Sequence, residues 1–190
     1  MSGLGRALGA LILAVTALVA TAGETKPEDE AKSLIGREFL TSAPPARISP
    51  ELSCVFIGGE MGGTLPDGTP TSRVTLECGD RYILAITGSQ EIVGERTRRE
   101  RILDTLLLPP HVLVTWSGDP PAPLLLYSDQ CQLEGNQGDV RFVVVGRLHG
   151  RETIDADTGV DFAWILDFNK EGRFIPVDTR RVTCLRMDEP

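Results

Sequence analysis

Four cysteines and two histidines are the residues in this chain best suited to chemistry: Cys54, Cys78, Cys131 and Cys184, with His111 and His149. A structural zinc site draws at least two ligands from a close pair such as C-x-x-C, and none of these cysteines forms one. The same missing pair removes a thioredoxin-like redox role. A cysteine nucleophile needs an unpaired thiol, which an even count in an exported chain disfavours. Two structural disulfides are therefore expected, with three connectivities open. The pairing Cys54–Cys78 with Cys131–Cys184 is preferred, because 54 and 78 are equidistant from residue 66, where Pro66-Asp67-Gly68 reads as a turn. A hairpin folded there brings the first two sulfurs together. On the loop-entropy model the two bridges contribute roughly 3.5 and 4 kcal/mol. Four buried free thiols are the rival reading.

A Ser-His-acid triad needs a histidine beside an activated serine. His111 and His149 are the only histidines, and no G-x-S-x-G elbow is present. Each adjoins a candidate strand, so a structural or surface role is expected. Asp155, Asp157, Gly159 and Asp161, in D-A-D-T-G-V-D, begin as a calcium loop begins. Val160 and Leu166 then stand where such a loop needs Gly and a bidentate Glu. A turn rich in Asp and Gly explains the same residues. Gly58-Gly59-Glu60-Met61-Gly62-Gly63 lacks the G-K-[ST] ending of a phosphate-cradling loop and reads as a flexible hairpin loop. Arg98, Arg99 and Arg101 invite an anion. Glu95 and Glu100 stand among them, which favours a solvated face. Neither a metal nor a cofactor is expected, and no catalytic residue is assigned.

The first 22 residues read as an address. Arg6 precedes a mostly apolar run from Ala7 to Ala20, and Ala20-Thr21-Ala22 has the small residues that a signal peptidase recognises. The run is shorter than the roughly 20 residues of a membrane-spanning helix. An uncleaved anchor is the rival. Cleavage after Ala22 removes one arginine and no acid, leaving 168 residues from Gly23 and a net charge of −9. Sixteen arginines against three lysines point to a GC-rich bacterial genome, and hence to the periplasm or the medium.

Residues 23–50 read as a tail with one short helix and a Pro-rich loop. Pro27 suits the first helical position, and Glu28, Asp29 and Glu30 the positive end of the helix dipole. Ala31, Leu34, Ile35 and Phe39 follow at helical spacing, before Pro44, Pro45 and Pro50 forbid continuation. Residues 51–190 read as a single β-rich domain. Leu52 to Asp80 predicts a hairpin, with Val74, Leu76 and Cys78 alternating in its second arm, and Arg81 to Thr87 a further strand. Ile102, Leu103, Leu106 and Leu107 fall on one helical face, predicting a helix within Glu91–Leu108 that Pro109-Pro110 ends. Strands are expected at His111–Trp116 and Leu124–Tyr127, within Asp139–Leu148 with a bulge or kink at Gly146, at Asp161–Phe168, and at Arg181–Met187. The segments at Asp139–Leu148 and Asp161–Phe168 are expected to pair.

The fold class predicted is mainly β: a small β-sandwich or OB-like barrel of about seven or eight strands with one or two short helices. V-R-F-V-V-V-G-R-L-H-G-R-E followed by F-A-W-I-L-D-F resembles in pattern the opening strands of an OB-type barrel. Such barrels bind oligonucleotides or oligosaccharides through one face. A formal charge of −8 disfavours nucleic acid, whose binders carry basic stripes. With 41% hydrophobic and 24% charged residues, the composition excludes wholesale disorder and a multispanning membrane protein. The sequence thus reads as an exported, disulfide-stabilised, non-catalytic binding or interaction domain. Its partner is a protein or small molecule of the envelope or medium, with neither nucleic acid nor, after cleavage, membrane. A hydrolase using His111 or His149 with a nearby carboxylate, and an envelope assembly subunit, are the alternatives.

Overall fold

The computed structural model describes residues 27–41, 47–49, 54–94, 97–115, 121–135 and 140–185. Residues 1–22, which the sequence reads as an address, and residues 95 and 96 lie outside them. Three antiparallel sheets and one short helix, α1 (Pro27–Lys32), make the fold mainly β. The largest sheet has β1 (Glu38–Thr41), β2 (Arg47–Ser49), β3 (Cys54–Thr64), β4 (Pro70–Cys78), β5 (Arg81–Gly94) and β6 (Thr97–Leu107), in spatial order β1-β6-β5-β4-β3-β2. A second has the order β12-β11-β9-β7, from β7 (Leu124–Tyr127), β9 (Phe142–Gly146), β11 (Val160–Asp167) and β12 (Arg173–Pro176). In the third, β13 (Val182–Leu185) lies between β8 (Cys131–Leu133) and β10 (Thr153–Ile154). Among the described residues no sheet closes into a barrel. The described strands outnumber the seven or eight expected, because several span only two to four residues.

The second sheet explains the unbroken apolar runs in the sequence. Leu124–Leu126 and Phe142–Val145 are buried at every position. Leu124, Leu126, Phe142 and Val144 join a cluster with Cys131, Leu133, Val182 and Cys184 of the third sheet. Leu125, Val143 and Val145 face the other way, into a cluster with Leu84 and Ile86 of the first sheet. A strand with apolar neighbours on both faces has no reason to alternate with polar residues. The far face of the first sheet is covered in part by the N-terminal segment. Ala31, Leu34 and Phe39 pack there with Leu76, Ile83, Ala85 and Ile102, and Thr105 Oγ1 donates to the Ala31 carbonyl at 3.1 Å. The helix is shorter than the predicted stripe: Phe39 reaches that core from β1, and Ile35 stays exposed.

The disulfides pair as the sequence predicts. Cys54 and Cys78 are directly opposite on β3 and β4, and Cys131 and Cys184 on β8 and β13. Each bridge therefore clamps one of the two outer sheets. Leu65–Thr69 turns the first hairpin where expected, with Gly68 at φ +88° and Asp67 Oδ1 accepting from the Thr69 N–H at 2.9 Å. The pairing of β9 with β11 also holds, and the irregularity lies on β11, between Val160 and Phe162, opposite Gly146.

Three expectations are corrected. Glu91–Leu108 is not helical: β6 runs through it as a bulged strand. Thr87 pairs with Ile102 and Ile86 with Asp104, so Leu103 is the extra residue. Ile102 and Leu107 then pack on one face of the sheet, and Leu103 and Leu106 on the other. A bulge in a strand that sets apolar side chains on both faces reproduces the spacing of a helical stripe. The glycine-rich segment is not a flexible loop but the far half of β3. A Cβ on Gly62 would stand 2.5 Å from the Phe168 ring, so glycine is what admits that ring to the strand. His111–Trp116 contributes only an isolated bridge at Leu113, not a strand, among its described residues.

Three variants check this packing. Gly62→Ala should lower stability in a denaturant titration by about 1–3 kcal/mol, as overpacking does. Gly58→Ala should be nearly silent, because open space surrounds its Cβ position. Replacing Cys131 and Cys184 together by serine should cost about 2–5 kcal/mol.

Candidate functional site

The residues the sequence offers for catalysis are not gathered by the fold. His111 and His149 stand on different turns, after β6 and after β9, both exposed and both with left-handed backbones, at φ 64° and 49°. Among the described residues neither makes a hydrogen bond or an ion pair. All four cysteines are consumed in disulfides. In the 155–161 turn, Asp155 accepts from Thr158 Oγ1 at 2.7 Å and from the Asp157 N–H at 3.1 Å. The Thr158 hydroxyl is the main reason its carboxyl titrates below the usual range. Asp161 is held by Arg147. Among the described residues no group of three or more His, Cys, Asp or Glu could hold a metal. The arginines of β6 are not a free basic patch either. Arg99 lies 3.7 Å from Glu38 and 3.5 Å from Glu91, and Arg98 Nη1 donates to Met61 Sδ at 3.2 Å.

Two charged side chains are buried in the first sheet, on opposite faces: Arg73, which no motif singles out, and Glu100, whose burial corrects the solvated face expected of it. On β4, Arg73 pairs in register with Glu60 of β3 and Ile86 of β5, on the face that meets the second sheet. Arg73 is only 8% exposed. Its Cζ lies 4.2 Å from the centre of the Tyr127 ring, and its Nη2 stands 3.6 Å from Glu60 Oε2. Nε and Nη1 are buried and have no hydrogen-bond partner. Glu60 also lies 3.9 Å from Arg141 Nη1, and that same nitrogen donates to the Met61 carbonyl. The Arg141 guanidinium sits 5.8 Å from the Phe168 ring. Burial pushes the Tyr127 hydroxyl up, with the Arg73 charge opposing and Glu60 and Asp129 reinforcing the rise.

A guanidinium over an aromatic face gains up to about 2 kcal/mol where water is excluded. Unmet buried donors cost about 1–3 kcal/mol each group, more when charged. With two unmet nitrogens on one side chain, the cost outweighs the ring contact. Arg73 is therefore a net burden on folding, placed where Leu84 and Ile86 show that an apolar residue fits the surroundings. Arg73 is inconspicuous in the sequence because Val74, Leu76 and Cys78 alternate with Arg73, Thr75 and Glu77, which looks like a strand with one wet face. Both faces are in fact covered there: Thr75 is 7% exposed.

On the opposite face Glu100 is 2% exposed, and its Oε2 has no partner. Burial raises its carboxyl above the ordinary value of 4.5, while a hydrogen bond from Thr87 and the Arg98 charge pull it down.

Both burdens are measurable. Arg73→Met should raise stability by about 1–4 kcal/mol, the range found when buried charges give way to apolar isosteres. A carboxyl whose pKa is higher folded than unfolded favours the folded state only when protonated, so its contribution is lost as pH rises above about 4.5. Glu100→Gln should therefore raise the melting temperature at pH 7, with the gain shrinking as pH falls and vanishing below pH 4.5.

Compared with family models, with curated proteins and with solved structures, the chain matches none of them.

Proposed function

We propose that this chain is an exported, non-catalytic binding domain that works in the periplasm or the medium. The observation that carries this reading is the pair of disulfides. Each staples an outer sheet at directly opposed strand positions and leaves no free thiol, as expected of small domains in oxidising compartments. The apolar leader ending in Ala20-Thr21-Ala22 supports the same compartment. Among the described residues no helix is long and apolar enough to cross a membrane. The first and second sheets, sharing the cluster of Leu84, Ile86, Leu125, Val143 and Val145, form on this reading the two layers of a β-sandwich, with the third sheet packed behind. The place for a ligand is the Glu60–Arg73–Tyr127–Arg141 cluster, where folding energy is given up for unmet donors. The hydrolase alternative requires His111 or His149 beside an acid, and their separate exposed turns give it no support.

Expressed in a bacterium with its own first 22 residues, the protein should be recovered from the periplasm beginning at Gly23 and should react with no thiol reagent before reduction. A cytoplasmic product beginning at Met1 with titratable thiols overturns the reading. The double variant His111→Ala/His149→Ala should fold normally and lose no activity; a hydrolytic activity abolished by it establishes the alternative.

A further inference from the structure

We infer that Arg73 is the receptor for a small organic monocarboxylate, with Glu60 as its resident and displaceable counter-ion. The inference rests on the reading of this chain as a binding domain and names the class of ligand.

The Arg73 side chain is 9% exposed and offers two nitrogens that nothing in the protein satisfies. A guanidinium carries five N–H donors in a fixed fork and stays charged at any physiological pH, so such a vacancy is a standing demand for an acceptor with negative charge. Glu60 only partly meets it. At 3.6 Å from Arg73 and 3.9 Å from Arg141 it makes an ion pair with each, and no hydrogen bond to either; its side chain is 47% exposed. A half-exposed carboxylate on long contacts can leave for water at small cost, because exposed ion pairs are weakly held. An incoming carboxylate reproduces the lost charge pairing and can add the short bonds that Glu60 does not make.

Three features select the ligand class. Two guanidiniums face one carboxylate, and Glu60, once swung to water, stays tethered beside the site as a negative charge, so the cluster takes one further negative charge rather than two. A dianion such as phosphate would also meet the repulsion of Glu60. Aromatic rings border both guanidiniums: the Tyr127 ring lies under Arg73, and the Phe168 ring near Arg141. They favour a carboxylate carried on an apolar body. Finally, Gly58 lies two residues before Glu60 on β3, and a Cβ there would meet nothing within 4 Å. That open space next to Glu60 gives such a body room. Binding makes and breaks no covalent bond.

The test uses the purified, disulfide-bonded protein with benzoate as probe and chloride at equal ionic strength as reference, read by calorimetric titration and thermal unfolding. Benzoate should bind saturably and raise the melting temperature above the chloride reference, and inorganic phosphate should not. Glu60→Gln, which removes the resident competitor, should tighten benzoate binding about tenfold, equivalent to about 1.4 kcal/mol. Arg73→Met, checked for native circular dichroism, should abolish binding. Three results overturn the inference: no response of the wild-type protein beyond chloride, undiminished binding by folded Arg73→Met, or stronger binding of phosphate than of benzoate. If any of them appears while the recovered protein begins at Gly23 with oxidised cysteines, only the carboxylate site falls and the exported binding domain stands.

Discussion

Strands β7 and β9 have no wet face, and the rest of the molecule is arranged to make that tolerable. Their side chains alternate between two clusters, one shared with the first sheet and one with the third. Each fully buried Leu, Val or Phe there contributes roughly 1.5–3 kcal/mol of transfer free energy. That gain exists only while both outer sheets stay in place. One disulfide lies in each outer sheet, Cys131–Cys184 within the cluster shared with β7 and β9 and Cys54–Cys78 on the far face of the first sheet. The fold is thus two doubly buried strands of the middle sheet, β7 and β9, with a disulfide in the sheet on either side.

This arrangement gives Arg73 its significance. A charged residue on a sheet edge facing water needs no explanation. The same residue facing the middle sheet, over Tyr127 and beside Ile86, exchanges hydration for one ring and a long ion pair. Glu100 shows a related burden on the other face of the same sheet. The two differ in what surrounds them. Glu100 has the Thr87 hydroxyl and the Arg98 charge to hold it, and it can shed its charge by taking up a proton. Arg73 cannot lose its proton, and its partner Glu60 is half in solvent. Of the two buried charges, Arg73 is the one left needing something from outside.

Much of this architecture was legible from residue types and spacing, where the signals were local. The symmetry of Cys54 and Cys78 about Pro66-Asp67-Gly68 locates a real hairpin, and F-V-V-V-G and F-A-W-I-L-D do pair. Illegible were the elements that exist only through partners. A three-residue strand such as Cys131–Leu133 has no periodicity to read, and it is a strand because β13 lies beside it. Leu103, inserted as a bulge, made β6 imitate a helix. The glycines of β3 looked loose in sequence because nothing local reveals that Phe168 lies against them. The candidate site was hidden for the same reason: alternation in S-R-V-T-L-E-C shows two faces, but not that both are covered.

Native-state hydrogen exchange on the oxidised protein shows whether β7 and β9 hold the fold together. If the doubly buried strands are the keystone, the amides of Leu125, Leu126 and Val143–Val145 exchange last and only through global unfolding. Amides of β1 and β12, at sheet edges, exchange earlier through local opening. Exchange of the β7 and β9 amides as fast as those of β1, under conditions where the protein remains folded, would mean that these strands do not hold the fold together.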